Sequence, residues 1–382
     1  MDIEPLIRKI SDELESRREE MMQLLVRLVE TESPSDDFGA VNRFSAMLVR
    51  EMEAMGLKAE MRAVRSCPDL LECFHGRGER PVMLIGHLDT VWPVGTLAKM
   101  PVRIDGDLLY GPGSYDMKAG IVVGLFALAA LADECPRVNL FLTPQEEVGG
   151  EQYRQMLEQR ARESRAVIGL EPAWPGGAVK TERKGSGHIS IKAVGRAAHA
   201  GADLEKGVNA IVEIADQIAA LRRLQPSLGD GVTLNIGIIR GGTRPNVVPD
   251  SAEIDVDLRF KRQIDGEDAL RRVRDLRPVL SGASIEISGA ITAPPLERTD
   301  RVMRLFELAG RVESLLGRRL EEASTGGVSE VSYAAATGVP AIDGFGADGD
   351  GAHAAHEHVT LPSLAKRAAL LAGTLLMLGR DA

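Results

Sequence analysis

The run Val82-Met83-Leu84-Ile85, held between Pro81 and Gly86 and followed by His87-Leu88-Asp89-Thr90, constrains this chain more than any other stretch. Four consecutive apolar residues between turn formers describe a strand buried on both faces, as in a sheet covered by helices. In an extended chain, residues two apart point the same way, so His87 and Asp89 are expected to share a face. An imidazole there can bind a metal ion while the carboxylate orients it or acts just behind it.

Other buried runs end in the same manner. Residues 138–143 lead into Pro144-Gln145-Glu146-Glu147, and 166–170 into Glu171-Pro172. The short run 340–342 leads through Asp343-Gly344-Phe345-Gly346 to a loop carrying His353, His356 and His358. Helical patterns over 117–132 and 151–164 alternate with these strands, which predicts a parallel central sheet in an αβα layering. Such sheets bind ligands beyond the carboxyl ends of their strands. His87, Asp89, Glu146, Glu147, Glu171 and His353 all fall there, and Asp116 lies in a loop able to reach them. Taken singly, each acid reads as a solvated loop end; it is their joint placement that points to a site.

The remaining segments fill out an α/β architecture with two domains, the default for 382 residues. Residues 6–30 form an amphipathic helix or pair, and 40–55 continue it, with Gly56 as C-cap. Residues 93–112 form a loop and small hairpin turning at Asp105-Gly106-Asp107. From about 185 the pattern becomes alternating: 187–194, 233–239 and 253–259 are strands, 208–224 and 265–277 helices, and 284–288 a last strand. That β-α-β-β-α-β order predicts a ferredoxin-like layer over 185–294, inserted in a catalytic domain made of 1–184 and 295–382. Helices over 299–316 and 361–379 complete the catalytic domain. The inserted layer, through its sheet face, helices or edge strand, is expected to pair two chains as a homodimer.

Charge and composition narrow the partners. The balance of 46 basic and 56 acidic residues, −10 overall, argues against nucleic acid or an anionic membrane as the main partner. The apolar stretch 117–132 is interrupted by Lys118 and two glycines and is expected to fall short of a membrane span. Met1-Asp2-Ile3-Glu4-Pro5 shows no basic segment followed by an apolar core. Cys67, Cys73 and Cys135 read as free thiols. A cytoplasmic location is expected.

His87, Asp116, Glu147, Glu171 and His353 offer only nitrogen and oxygen donors. That suits zinc, with cobalt or manganese as substitutes, and disfavours iron–sulfur or cuprous sites. Five ligands, one of them a carboxylate able to bridge, are the right number for two ions about 3.5–4 Å apart. Glu146 is then one carboxylate too many. Neighbours leaving a strand point apart, so one binds while the other can take a proton from water and pass it to a leaving amine.

These motifs carry a resemblance. Gly86-His87-Leu88-Asp89-Thr90-Val91, Gly113-Ser114-Tyr115-Asp116-Met117-Lys118, Glu146-Glu147 and Glu171-Pro172 resemble the di-zinc aminoacylase and glutamate carboxypeptidase family. Gly195-Arg196-Ala197-Ala198-His199-Ala200-Gly201, Asn246-Val247-Val248-Pro249, and His353 with Glu357 extend the likeness over nearly the whole chain. Within the family, His87-Leu88-Asp89-Thr90-Val91-Trp92-Pro93 is most similar to the bacterial glutamate carboxypeptidases that cleave folates.

The resemblance implies roles. Asp116 bridges; His87 and Glu171 hold one zinc, Glu147 and His353 the other; Asp89 orients His87, and Glu146 is the base. His199 reaches a neighbouring subunit's site to polarise the scissile carbonyl. Asn246 and Arg259 hold the substrate's α-carboxylate, and Lys180 is a basic residue near the site. Gly327 and Ser329 belong to a substrate-side loop that departs from the family: Gly326-Gly327-Val328-Ser329-Glu330 stands where Gly-Gly-x-Ser-Asp is usual, and Ser332 where Asn is usual. His358 stands where an aromatic is usual, and His356 and His358 are alternatives to His353. The function expected is removal of a C-terminal, glutamate-like amino acid from a small N-acyl or peptidyl substrate. The alternatives are an N-acyl-amino-acid deacylase of aminoacylase or desuccinylase type, and a catalytically dead metabolite binder. Retention of Glu146 with all five ligands argues against the last.

Overall fold

The computed structural model describes residues 3–380; the first two residues of the N-terminal stretch discussed above and the last two of the closing segment lie outside it. The chain divides into two compact units. One runs to Thr181 and resumes over Arg298–Ser324 and from Ser329 onward; the other comprises Glu182–Glu297 with Thr325–Val328. The glycine-rich stretch 325–328 thus groups with the second unit rather than with the flanking catalytic segments. The reason is local: Arg183 Nη1 donates to the Gly327 carbonyl at 3.1 Å, and the Lys184 N–H to that of Thr325 at 3.0 Å.

The sheet of the first unit has six strands in the order Ala59–Arg62, Leu70–His75, Pro136–Thr143, Arg77–His87, Ala166–Gly169, Ala341–Ile342. The last four are parallel, and the first two add an antiparallel edge. The fold is therefore α/β with a mixed, mostly parallel sheet. The edge pair escapes the sequence reading because Ala59–Arg62 is short and only half-buried, and Leu70–His75 mixes Glu72 into its apolar run. Val82 to His87 are buried, so the central strand lies between layers.

Helices Glu4–Ser16 and Arg18–Val29 break at Arg17, and Phe38–Ala54 is capped by Asp37, whose side chain accepts the Ala40 N–H at 2.8 Å. Gly56 follows at φ 77°, the left-handed C-cap conformation glycine adopts without strain. Helix Ala119–Leu131 is buried at every residue except Ala129. It lies so close to the sheet that a Cβ on Gly120 would stand 2.0 Å from the Leu170 carbonyl oxygen. Together with the turns before and after it, this helix reaches 21 residues (Ser114–Glu134), so it does not fall short of a span by length. Its apolar window is nevertheless 83% buried, as is 78% of that of the closing helix Leu361–Arg380. Their apolar character thus serves the core, where each fully buried Leu, Ile or Val contributes about 1.5–3 kcal/mol.

In the second unit, Gly185–Val194, Thr233–Gly241, Ser251–Phe260 and Ser284–Ala293 form an antiparallel sheet. Numbered along the chain, the strands stand in the order two, three, one, four. Helices Ala210–Leu224 and Gln263–Arg274 cover one face, over Ile189, Ile191, Ile254, Val256 and Leu258. The strands Thr233–Gly241 and Ser284–Ala293 are edges.

Candidate metal centre

Four loops leave the carboxyl ends of the parallel strands and converge. His87 is the last residue of its strand and is 2% exposed. Its Nδ1–H faces the Asp89 carbonyl oxygen at 3.0 Å, which leaves Nε2 as the nitrogen turned toward the site. Nε2 lies 3.3 Å from Asp116 Oδ1 and 3.8 Å from Glu171 Oε1. The other oxygen of Asp116, Oδ2, lies 3.4 Å from His353 Nε2. That nitrogen in turn lies 3.2 Å from the Glu147 carboxylate. Asp116 therefore presents a different oxygen to each histidine, the disposition of a bridging carboxylate.

The donor chemistry fits divalent metal. Ligand atoms of His87, Asp116 and Glu147 all lie within 4.8 Å of one another. The nitrogen–oxygen separations of 3.2–3.8 Å span the roughly 3.3–3.4 Å edge of a tetrahedron built on zinc bonds of about 2.0–2.1 Å. His356 and His358 stand apart: His358 Nδ1 bonds the His356 carbonyl oxygen at 2.9 Å, and its ring lies 5.1 Å from that of Tyr110.

Charge is concentrated here. Burial works against a charged His87 ring, but bonds to Asp116 and Asp89 outweigh it and raise its pKa well above the usual value. Asp116 and Glu147 lift His353 to about 10. Asp116 itself is depressed: burial alone would raise it, but His353 and His87 hold it ionised. Without metal, both rings carry the protons that metal ions would displace.

Glu146 and Glu147 occupy one tight turn, Glu146–Val148, after the strand Pro136–Thr143. Burial first, and the Glu171 charge second, push Glu146 well above the carboxylate range. What sets this turn is Asp89. Its Oδ1 accepts the Glu146 N–H at 3.1 Å, its Oδ2 accepts the Glu147 N–H at 3.2 Å, and the Ser35 hydroxyl donates to Oδ2 at 2.6 Å. The Asp89 carboxylate comes no nearer the His87 ring than 3.5 Å. Asp89 thus serves both: its backbone carbonyl and, at 3.5 Å, its carboxylate face the His87 ring, while the same carboxylate holds the acidic turn.

Two carboxylates matter more than the sequence indicates. Glu357, 1% exposed, accepts the N–H groups of Gly113, Tyr115 and Asp116 at 2.9–3.0 Å and the Trp92 indole N–H at 2.7 Å. It fixes the turn Ser114–Lys118 that carries Asp116. Glu330 takes a hydrogen bond from Thr143 Oγ1 at 2.7 Å, and burial pushes it up to about 8. Its one sequence signal is the departure from Asp at that position.

The other expected site residues divide between the units. Ser329, 1% exposed, donates to Asp343 Oδ2 at 2.9 Å, and the Lys180 N–H donates to the Asp343 carbonyl at 2.8 Å. The Ser329 hydroxyl is thus engaged inside the first unit rather than presented to a ligand. In the second unit, the strand pair Ala198–His199 with Val247–Val248 brings His199 beside Asn246, whose carbonyl accepts the Ala200 N–H at 3.1 Å. Arg259 donates from Nε to both oxygens of Asp257, at 2.9 and 3.2 Å.

Comparison with known proteins finds a peptidase family over most of the chain. The description Peptidase family M20/M25/M40 matches residues 83–377. Carboxypeptidase G2 of Pseudomonas sp. (strain RS-16) is 27% identical over 94% of this chain and 89% of its own. A putative succinyl-diaminopimelate desuccinylase DapE of Mycobacterium tuberculosis is 28% identical over 76% and 80%. Among solved structures, aminopeptidase PepT of Bacillus cereus superposes with a TM-score of 0.79 at 21% identity, covering 94% of this chain and 98% of its own. YXEP of Bacillus subtilis, described as a dinuclear metal-binding peptidase, does so with 0.69 at 14% identity, covering 96% and 99%.

Proposed function

Because this chain belongs to peptidase family M20/M25/M40, we propose that it is a two-metal amide hydrolase releasing a C-terminal, glutamate-like amino acid from small N-acyl or peptidyl substrates. The observation that carries the reading is the Asp116 carboxylate set between His87 and His353, with Glu171 and Glu147 beside them. His87, Asp116 and Glu171 would hold one ion, and Asp116, Glu147 and His353 the second. Two such ions, zinc with cobalt or manganese as substitutes, supply Lewis acidity and a lowered water pKa.

The chain's own residues do the rest. Glu146 takes the proton of the attacking water and returns it to the leaving nitrogen. Asp89 holds Glu146 and Glu147 in register through their N–H groups. Asn246 and Arg259 bind the substrate carboxylate, Lys180 and Gly327 belong to the substrate side, and Ser329, bonded to Asp343, supports that loop from within. His199 acts on the site of a second chain.

Pairing of two chains through the inserted domain, residues 185–294, is supported by exposed apolar side chains on that unit. Ile211 and Val212 on one helix and Ile238 and Ile239 on an edge strand are 41–60% exposed. Unpaired edges and apolar patches of this kind invite a partner. A cytoplasmic setting belongs to the same reading.

The desuccinylase likeness favours a second reading, deacylation of an N-acyl-amino acid. The two differ in which side of the amide is recognised. Turnover of zinc-loaded enzyme on a panel of N-acylated and peptidyl amino acids separates them. Varying the released amino acid should change kcat/KM more than varying the acyl group; the opposite ranking establishes the deacylase.

A further inference from the structure

One face of helix Asp300–Leu315 carries a second constellation, at the other end of the sheet from His87. There Arg165, Arg301, Arg304 and Arg311 line one cleft of about 500 Å³, with Glu307 as the sole acidic lining residue among the described residues. The cleft adjoins Ala166, the first residue of the strand that leads to Glu171 at the opposite end.

Some of this charge has a structural use. Arg165 Nη1 donates to the Leu378 carbonyl near the end of the closing helix, and Arg301 Nη1 donates to the Gly338 carbonyl. Those bonds employ one nitrogen of each guanidinium. Arg165 Nε is buried and has no hydrogen-bond partner. Among the described residues, exposed Arg304 and Arg311 have no ion-pair partner, and neither does Glu307 between them. Like charges one turn apart on a helix, such as Arg301 and Arg304, repel, and among the described residues of a chain with ten more acids than bases only Glu307 lines the cleft as a counter-charge. The cleft thus gathers two anchored guanidinium groups, Arg165 and Arg301, and two exposed ones, Arg304 and Arg311, around an open volume.

We propose that this cleft binds a small phosphorylated anion carrying two or more negative charges. Four arginines and no lysine match planar, two-pronged recognition of phosphoryl oxygens. Four positive lining groups against one negative leave an excess that a single charge would not balance. A cleft of this size takes a small ligand rather than a polymer, and Leu305, Leu308 and Pro340 offer an apolar wall for its carbon skeleton.

The test is isothermal titration of the metal-loaded, full-length enzyme with pyrophosphate, ADP and citrate at constant ionic strength. The parent is compared with the double variant Arg304→Gln/Arg311→Gln. Pyrophosphate and ADP should bind one per chain with submillimolar affinity. That affinity should fall roughly tenfold or more in the variant, the scale of losing charge-assisted bonds. The variant's melting temperature and basal amide hydrolysis should be unchanged, since neither arginine belongs to the metal centre. Equal affinity in parent and variant would place the anion on the metal ions and overturn the proposal, as would the absence of saturable binding. Binding of citrate but not of the phosphoryl compounds overturns the assignment of ligand class.

Discussion

At Glu146, burial and the neighbouring Glu171 charge both disfavour the ionised form in the metal-free chain, whereas a general base must be ionised to act. The cations proposed beside it reverse that balance, so the residue gains its basicity only in the loaded enzyme. Glu146→Gln should leave the fold and metal content unchanged while turnover falls by about 10²–10⁴-fold. Metal analysis beside steady-state rates checks this: loss of an ion would make Glu146 a ligand, and intact turnover would remove it from the chemistry. Glu357 acts differently, through four donors. Truncation to Ala buries unmet N–H groups at about 1–3 kcal/mol each, so Glu357→Ala should cost at least about 3 kcal/mol of stability in urea unfolding. An unchanged midpoint would show that water replaces the carboxylate. Residue types and strand-end positions make His87, Asp116, Glu147, Glu171 and His353 legible in the sequence. The carboxylate role of Asp89 is not, because it depends on how a turn 57 residues away folds back.

At the scale of elements, the site is a set of loop ends held by parallel strands, and its charge state couples to metal. His87 and His353 are both raised above the ordinary imidazole value. In the metal-free protein their stabilising contribution is therefore complete below about pH 6.5, and for His353 it is lost as pH climbs through about 10. At neutral pH both rings start protonated and Glu146 is held neutral, so zinc binding should release about three protons per chain, two of them from the rings. Titrations in buffers of different ionisation enthalpy measure that number, and a value near zero would mean the rings are neutral beforehand. Purified enzyme should hold about two ions; Asp116→Ala should lose both, and His353→Ala mainly one. The parallel strands and their helices were readable because buried runs and turn formers alternate at regular spacing. The edge strand Ala59–Arg62 is not, since a short, half-exposed strand carries a weaker pattern, and neither is its neighbour Leu70–His75, whose buried run is interrupted by Glu72. The grouping of Thr325–Val328 with the other unit depends on Arg183 and Lys184, contacts no local pattern encodes.

At the scale of the whole molecule, the residues proposed for one reaction lie in different units: the metal ligands and Glu146 in one, His199, Asn246 and Arg259 in the other. If His199 serves the site of a second chain, each active site is composite, and two separately inactive variants can complement. Glu146→Gln carries a sound His199 but a dead base; His199→Ala carries a sound base but lacks the donated histidine. In a two-fold dimer formed at random from equal amounts, half the dimers are hybrids, and each hybrid holds one complete site of its two. Co-expressed or reassociated variants should therefore recover about a quarter of the parental rate, while each alone stays near background. If His199 instead served its own chain, every site in the mixture would lack one group and no activity would return. A chain that remains monomeric at assay concentrations, by light scattering, would exclude the composite site directly. Charge substitution at Ile238 or Ile239, exposed on the edge strand, adds the link to the interface. It should weaken dimerisation and, in proportion, abolish the recovery, while leaving metal content at about two ions per chain.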